Sequence, residues 1–151
     1  MTGIKNFLFV SDRLACAGQP DESQLTALAA EGYAVVINLG LADSKYALPD
    51  EAGSLARLGL RYFHIPVLFD SPLPSQWESF AAIMDQQEGN KIFVHCAANY
   101  RATAFTGLYL FARSGVTEAG LHEFISNVWD PDPVWRRFIE NVIAKIREQQ
   151  V

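Results

Sequence analysis

Short apolar runs alternate with segments of helical periodicity along the chain, and no other feature of the sequence restricts its fold as strongly. The runs predict four strands, at residues 7–10, 33–39, 61–67 and 91–95. The second and fourth runs are almost wholly apolar, which is typical of strands that are covered on both faces. The alternation predicts a three-layer α/β fold, in which a mostly parallel central sheet of about four to five strands is flanked by helices.

Helical periodicity and capping signals predict six helices, at residues 20–31, 49–58, 75–87, 102–113, 117–128 and 133–148. Ser75 with Glu78 has the pattern of a capping box, and Asp132 followed by Pro133 has the pattern of a capped helix start. The chain has 151 residues, which is the length of one ordinary domain. We therefore expect residues 1–151 to form a single domain that folds without a disulfide or a structural metal.

The charge balance is acidic, with 12 Lys and Arg residues against 17 Asp and Glu residues and a net charge of −5. A nucleic-acid-binding or membrane-surface domain would carry a basic face, so neither kind of partner is expected. The start of the chain lacks the apolar run of a signal peptide or of a membrane span. This predicts a cytoplasmic protein, although a secreted chain whose signal had been removed would read the same. No metal or cofactor is expected, because the three histidines are far apart in sequence.

The chemically informative segment is KIFVHCAANYRATAF, residues 91–105. A buried strand is predicted to end at His95, a tight turn follows through residues 96–101, and a helix begins directly afterwards. Ligands of open α/β sheets bind at the carboxyl ends of strands, beside helix N-termini. Such a turn can direct several backbone N–H groups into one concavity that suits a tetrahedral anion, and the Arg101 guanidinium can hold two of its oxygens.

Cys96 stands at the start of this turn. The helix dipole, the Arg101 charge and the loop N–H groups would stabilise its thiolate, which is the nucleophilic form of cysteine. The alternative interpretation is a buried core thiol, with Arg101 a surface residue of the first helical turn. The other cysteine, Cys16, is interpreted as a small packed residue rather than as a redox partner of Cys96.

The His-Cys pair, the short loop and the Arg that opens a helix resemble the phosphate-binding loop of cysteine-dependent phosphatases of the dual-specificity type. The resemblance continues upstream in AGQP at 17–20, VINL at 36–39, Glu51, Gly59, Tyr62 and IPV at 65–67. These residues occur in similar order in the bacterial phosphatase-like family named after its fusion to β-lactamase-like hydrolases. The resemblance implies a protein-tyrosine-phosphatase-like domain that hydrolyses a phosphate monoester through a cysteinyl-phosphate intermediate.

The resemblance also implies roles for individual residues. Cys96 is then the nucleophile, Arg101 the phosphate clamp and His95 a supporting residue behind the thiol. The remaining residues expected to contact substrate are Ala97, Ala98, Asn99, Tyr100 and Ala102. Asp70, which lies 26 residues before Cys96 on the loop after a predicted strand, matches the position of the proton donor. Asp43 and Asp50 are the alternative acids, and Asp70 could instead only organise the Asp-Ser-Pro turn.

The loop departs from the phosphatase pattern in three ways. Four residues separate Cys96 from Arg101, whereas protein-phosphatase loops usually have five; four is also the spacing in many rhodanese-like sulfurtransferases. Asn99 replaces the usual glycine, and Asn is the side chain that best tolerates the left-handed region after Gly. Ala102 replaces the Ser or Thr that assists breakdown of the thiophosphate intermediate. Two further hypotheses therefore stand: a sulfurtransferase that carries a persulfide on Cys96, and a phosphate-binding module without turnover.

The substrate class stays open at this stage, since a phosphorylated small molecule and a phosphoprotein share the phosphoryl group. Selectivity is expected from loops 40–48 and 69–74 and from Tyr100. Lys45 is a candidate second phosphate contact and otherwise a solvated charge, and Gln19 is first a turn residue. The WDPDPVW stretch at 129–135 is interpreted as a capped helix start with aromatic anchors. Nothing in the sequence indicates the oligomeric state.

Overall fold

The computed structural model describes residues 3–150 as a five-stranded sheet between two helical layers. The strands are β1 (Leu8–Ser11), β2 (Leu14–Ala17), β3 (Val35–Asn38), β4 (Arg61–His64) and β5 (Ile92–His95). The helices are α1 (Glu22–Ala30), α2 (Glu51–Arg57), α3 (Pro74–Gln86), α4 (Tyr100–Arg113), α5 (Glu118–Ser126) and α6 (Pro133–Gln149). The predicted three-layer α/β class is confirmed.

The sheet order is β1-β2-β5-β3-β4, and β5 lies in its centre. β1 pairs antiparallel with β2, and the other pairs are parallel. In register, His95 at the end of β5 lies beside Ala17 of β2 and Asn38 of β3. The carboxyl ends of three parallel strands therefore meet where the chain turns into Cys96, which is the edge where ligands bind in such sheets.

Alternating side chains of the strands form two separate cores. Ile92 and Val94 of β5 face α3, α4, α5 and α6, where Trp77, Phe105 and Trp135 lie in one apolar cluster. Phe93 faces the other way, onto α1 and α2. The near-continuous apolar runs predicted to be covered on both faces are so covered, since every residue of β3 and β5 is buried.

Strand β2 was not predicted. Its sequence, LACA, has two alanines, which are weak strand formers, and only four residues. Pairing with β1 on one side and β5 on the other holds it in the sheet in spite of that composition. The short hairpin through Asp12 and Arg13 brings β2 back beside β5, and this places residues 17–19 against the loop that follows β5.

Five of the six helix starts lie one or two residues from the predicted positions, and those of α3 and α4 change the interpretation. The Ser75–Glu78 capping box is wrong, because α3 begins one residue earlier at Pro74; Gln76 Oε1 instead accepts a hydrogen bond from Leu73 N at 2.9 Å. Helix α4 begins at Tyr100 rather than Ala102, so Tyr100 and Arg101 belong to its first turn. The start of α6 is as predicted, since Asp132 accepts from Trp135 N at 2.9 Å and Pro133 takes the first helical position.

Candidate active site

Cys96 lies at the bottom of a small cleft at the carboxyl end of β5. The cleft has a volume of about 270 Å³ and is lined by Phe69, Cys96, Ala97, Ala98, Tyr100 and Arg101. The Cys96 side chain is only 1% exposed. Four of the predicted loop residues and the nucleophile candidate therefore do share one cavity, whereas Asp70 is not among the residues that line it.

The N-terminus of α4 opens onto this cleft without a cap. Asn99 precedes the helix in the left-handed conformation, with φ of 71°, and its side chain makes no capping hydrogen bond. The first helical hydrogen bond runs from Thr103 N to Asn99 O, at 2.9 Å. Because the amides of the first helical turn have no partner inside the helix, they are available to an anion in the cleft. This left-handed conformation explains why Asn can replace the usual glycine here.

Arg101 lies in that first turn and is 8% exposed. Its Nη1 donates to the Val67 carbonyl at 2.8 Å, which fixes the guanidinium plane. Within residues 3–150, its buried Nε has no hydrogen-bond partner. A buried guanidinium donor without a partner is costly unless an acceptor reaches it, and an oxyanion beside Cys96 would supply one.

The loop itself is held from behind by residues near the chain start. Gln19 N donates to Ala97 O at 3.1 Å, and Asn6 Nδ2 donates to Ala98 O at 3.0 Å. Since the peptide group is planar and trans, the Ala98 N–H points away from the brace that holds Ala97 O. A Cβ at Gly18 would lie 2.6 Å from Ala97 O, so only glycine allows this approach. No role was predicted for Asn6 or Gly18, although Gly18 belongs to the AGQP stretch that carries the family resemblance.

His95 is fully buried directly before Cys96 and has an acceptor at each ring nitrogen. Nε2 lies 2.7 Å from Glu51 Oε2, and Nδ1 lies 3.3 Å from the Cys96 carbonyl. Both neighbours of the ring are hydrogen-bond acceptors, and the carboxylate of Glu51 is the nearer of the two. The second Glu51 oxygen accepts from Gln19 Nε2 at 2.7 Å. His95 thus connects the loop to a buried carboxylate.

Burial opposes the charge on Glu51, but the hydrogen bond and positive charge of His95, together with Gln19, hold the pKa of this carboxyl below its ordinary value. Reasoning from chemistry missed the place of Glu51 in this buried network, although Glu51 was among the residues that carry the family resemblance. Nothing in its local sequence indicates a partner 44 residues away. Gln19, interpreted as a turn residue, is also part of this buried network.

Glu51→Gln is expected to lower the free energy of unfolding at neutral pH by about 3 kcal/mol, because it removes a buried carboxylate that is hydrogen-bonded to His95 and Gln19. A carboxyl whose folded-state pKa is depressed stabilises above its unfolded pKa, and loses this contribution as pH falls through the folded value. The difference between variant and wild type should therefore shrink below a pH of about 4. Urea unfolding across pH measures it, with the exposed Glu148→Gln as control. A difference that is constant with pH would contradict a buried, ionised Glu51.

Asp70, the predicted proton donor, does not line the cleft in this structure. It follows the cleft residue Phe69 directly, but its exposed side chain lines an adjoining cavity with Pro72 and Arg137. Neither of the alternative acids lines the cleft. Asp50 caps α2 by accepting a hydrogen bond from Gly53 N at 3.0 Å, and Asp43 is exposed on loop 40–48. Lys45 is 5.0 Å from the Tyr46 ring centroid and does not line the cleft.

Neither of the two residues that follow Arg101 offers a hydroxyl group to the cleft. Ala102 is fully buried and has no hydroxyl. Thr103 Oγ1 donates within its own helix turn, to the carbonyls of Asn99 and Tyr100. Within residues 3–150 there is no group of three or more His, Cys, Asp or Glu side chains arranged to hold a metal ion. In the same residues, none of the helices has the length and apolarity needed to cross a membrane.

The sheet order and the loop between β5 and α4 define a protein with the protein-tyrosine-phosphatase-like fold. The crystal structure of "Putative phosphatase (DUF442)" from Shewanella putrefaciens CN-32 is 34% identical, covers 95% of each chain and superposes with a TM-score of 0.88. The chain therefore belongs to the DUF442 family, and the predicted family resemblance is confirmed. No family model matches the sequence.

Two further comparisons differ in what they cover. The Beta-lactamase hydrolase-like protein of Xylella fastidiosa strain Temecula1 is 30% identical over 112 residues, which are 72% of this chain and 25% of that protein. The chain thus spans about a quarter of the length of the curated relatives it matches. TpbA of P. aeruginosa, solved in complex with pTyr, is 16% identical with a TM-score of 0.76, covering 95% of this chain and 89% of that one. At that identity the likeness concerns the fold alone.

Proposed function

We propose that this protein is a cysteine-dependent phosphatase that hydrolyses a phosphate monoester through a cysteinyl-phosphate intermediate. The observation that carries the proposal is the buried, unpartnered Arg101 Nε beside Cys96 at the uncapped start of α4. Membership in a family whose solved member is named a phosphatase supports it, as does the phosphotyrosine bound by TpbA on the same fold. The expected substrate is a phosphorylated small molecule or a phosphoprotein.

The reaction would run in two displacements. Cys96 Sγ attacks phosphorus, the S–P bond forms, and the bond from phosphorus to the ester oxygen breaks as that oxygen takes a proton from the acid. Water then attacks phosphorus, the S–P bond breaks, and the carboxylate takes the water proton. Arg101 and the amides of the first turn of α4 hold the non-bridging oxygens, where charge builds up in both steps.

Asp70 is the proposed acid, and its position sets a condition on the mechanism. Its backbone adjoins Phe69 at the cleft, so loop 68–73 must turn the carboxyl from the adjoining cavity toward the leaving oxygen. Such gating by a loop is common where substrate binding completes a site. The exposed position of Asp70 in the free protein is compatible with that movement.

Asp70→Asn is expected to slow hydrolysis of an alkyl phosphate about a hundredfold, because an alkoxide leaving group needs a proton. Hydrolysis of para-nitrophenyl phosphate, whose leaving group needs little protonation, should fall much less. Both kcat values are measured for the variant, for wild type and for Asp12→Asn, an exposed aspartate of the β1–β2 hairpin, as control. Equal losses on the two esters, or no loss, would assign the acid role to another group.

Sulfur transfer is a second candidate that specific observations favour. The loop between Cys96 and Arg101 has four residues, and the cleft lining includes no carboxylate. In this reaction the Cys96 thiolate attacks the outer sulfur of thiosulfate, a persulfide forms and sulfite leaves, so no acid is needed. Binding without turnover is the third candidate, since Ala102 and the engaged Thr103 leave no hydroxyl to assist breakdown of the intermediate.

One experiment separates the three candidates. Purified protein is incubated with para-nitrophenyl phosphate, or with thiosulfate and cyanide, and phosphate and thiocyanate are measured. Acid-quenched samples are searched by mass spectrometry for phosphate on the Cys96 peptide. Phosphate release with phosphorylated Cys96 supports the phosphatase. Thiocyanate without phosphate release would replace it with the sulfurtransferase, and vanadate binding with neither product would replace it with the binding module.

A further inference from the structure

Two aromatic rings form part of the cleft wall. Phe69 from the loop after β4 and Tyr100 from the start of α4 both line the cleft, and their ring centroids are 6.3 Å apart. Phe69 is 37% and Tyr100 36% exposed. Their exposed ring surfaces are therefore continuous with the cavity above Cys96.

These two rings are held in place by an aromatic cluster behind them. Tyr100 stacks on Trp129 with a centroid distance of 4.7 Å and an interplanar angle of 6°. Phe69 contacts the rings of Trp129 and Trp135, and Trp135 Nε1 donates to the Phe69 carbonyl at 2.6 Å. Because these rings are already held in place, little conformational entropy is lost when a ligand packs against them. Less of the favourable contact energy is then offset on binding.

The charge of the cleft restricts the rest of the ligand. Arg101 is the one charged residue among the six that line the cleft. The others are Cys96, two alanines and the two aromatic residues. A substrate with several phosphates would need further cations here, which the lining lacks. One anionic group and one flat apolar body would match the whole site.

We infer that Phe69 and Tyr100 determine specificity by packing against the leaving group, so that the substrate class is a phosphate monoester with an aromatic body. The inference rests on the proposed phosphatase function for the reaction, but binding by this wall does not depend on turnover. The phosphoryl group lies against Arg101 and the amides of α4, and the aromatic body lies on the ring wall. WDPDPVW, interpreted from sequence only as helix anchors, thus also supplies the ring that supports Tyr100.

Binding is tested with non-hydrolysable probes, which removes leaving-group reactivity from the comparison. Benzylphosphonate and ethylphosphonate are titrated for their protection of Cys96 from iodoacetamide, followed by mass spectrometry of the Cys96 peptide. Benzylphosphonate is expected to protect at a concentration about tenfold lower than ethylphosphonate, because its ring buries apolar surface on the wall. Phe69→Ala and Tyr100→Ala should each bring this ratio close to one.

Three further variants exclude general damage to the site. Tyr100→Phe keeps the ring and should keep the ratio, and Phe69→Leu keeps apolar volume but should lose most of the ratio. Tyr46→Ala removes an exposed ring that does not line the cleft, and should leave the ratio unchanged. A wild-type ratio near one, or a ratio unchanged in both alanine variants, would overturn the inference.

Turnover provides a second readout. Naphthyl and phenyl phosphate have leaving groups of similar acidity but different ring area, and kcat/KM for naphthyl phosphate is expected to be several-fold higher. If neither ester is hydrolysed while benzylphosphonate still binds more tightly, the proposed function fails and the specificity inference stands. If both are hydrolysed equally and both phosphonates protect equally, the specificity inference fails and the proposed function stands.

Discussion

Cys96→Ser is expected to lower phosphate release from an aryl phosphate by at least about a thousandfold, and to remove the phosphorylated intermediate. The substitution changes one buried atom in a residue that is 1% exposed, so the fold should be retained. A serine hydroxyl in the same position is protonated and is a much weaker nucleophile than a thiolate. The loss should therefore appear in kcat, while vanadate, which needs only the oxyanion contacts, should still bind. Initial rates and vanadate titration measure the two effects.

Cys16→Ala is the matched control, because it removes the other thiol of the chain and should retain most of the activity. Cys16 is fully buried in β2, and burial raises the pKa of its thiol to about 12. It therefore stays protonated and should resist iodoacetamide in the folded protein, whereas Cys96 should react. Cys96→Ser protein that releases phosphate at the wild-type rate would exclude the proposed mechanism. Wild-type protein alkylated first at Cys16 would exclude the assigned environments of the two thiols.

Arg101→Lys is expected to lower kcat/KM about a hundredfold and to weaken vanadate inhibition by a similar factor. The guanidinium performs two tasks at once, because Nη1 satisfies the buried Val67 carbonyl while Nε remains for an oxyanion. A lysine ammonium is a single point and cannot bridge both positions in a planar fork. Lysine would keep the positive charge but not the planar arrangement of donors. The variant therefore measures how much the two-point contact of the guanidinium contributes.

Arg147→Lys is the control for this substitution, since Arg147 is an exposed residue of α6 paired with Glu118 at 2.8 Å. Its kcat/KM should equal that of wild type. The Arg101→Lys loss should be present in steady-state rates and in inhibitor binding together. If Arg101→Lys lowers thermal stability but leaves kcat/KM unchanged, Arg101 has only the structural role of binding the Val67 carbonyl.

Local patterns in the sequence were sufficient for the class of fold and for the segment that forms the cleft. The apolar runs of β3 and β5 are buried on both faces because strands in the middle of a parallel sheet must be, and this is readable without any contact information. The adjacency of His95, Cys96 and Arg101 is covalent and local, so the strand-loop-helix pattern predicted the cleft directly. β2 was missed because its stability comes from two neighbouring strands rather than from the propensity of its residues.

The surroundings of Cys96 were decided by the tertiary structure. Glu51 contacts His95, while Gln19 and Asn6 hold the loop by hydrogen bonds. Phe69 packs against Trp129 to form the aromatic wall. Each of these contacts joins residues that are far apart in sequence. The direction of Asp70, away from the cleft and into an adjoining cavity, also depends on how loop 68–73 packs against α6. Sequence periodicity reports which face of an element is apolar. It does not report which side chains of different elements meet, because that depends on the order of strands in the sheet and on packing between layers.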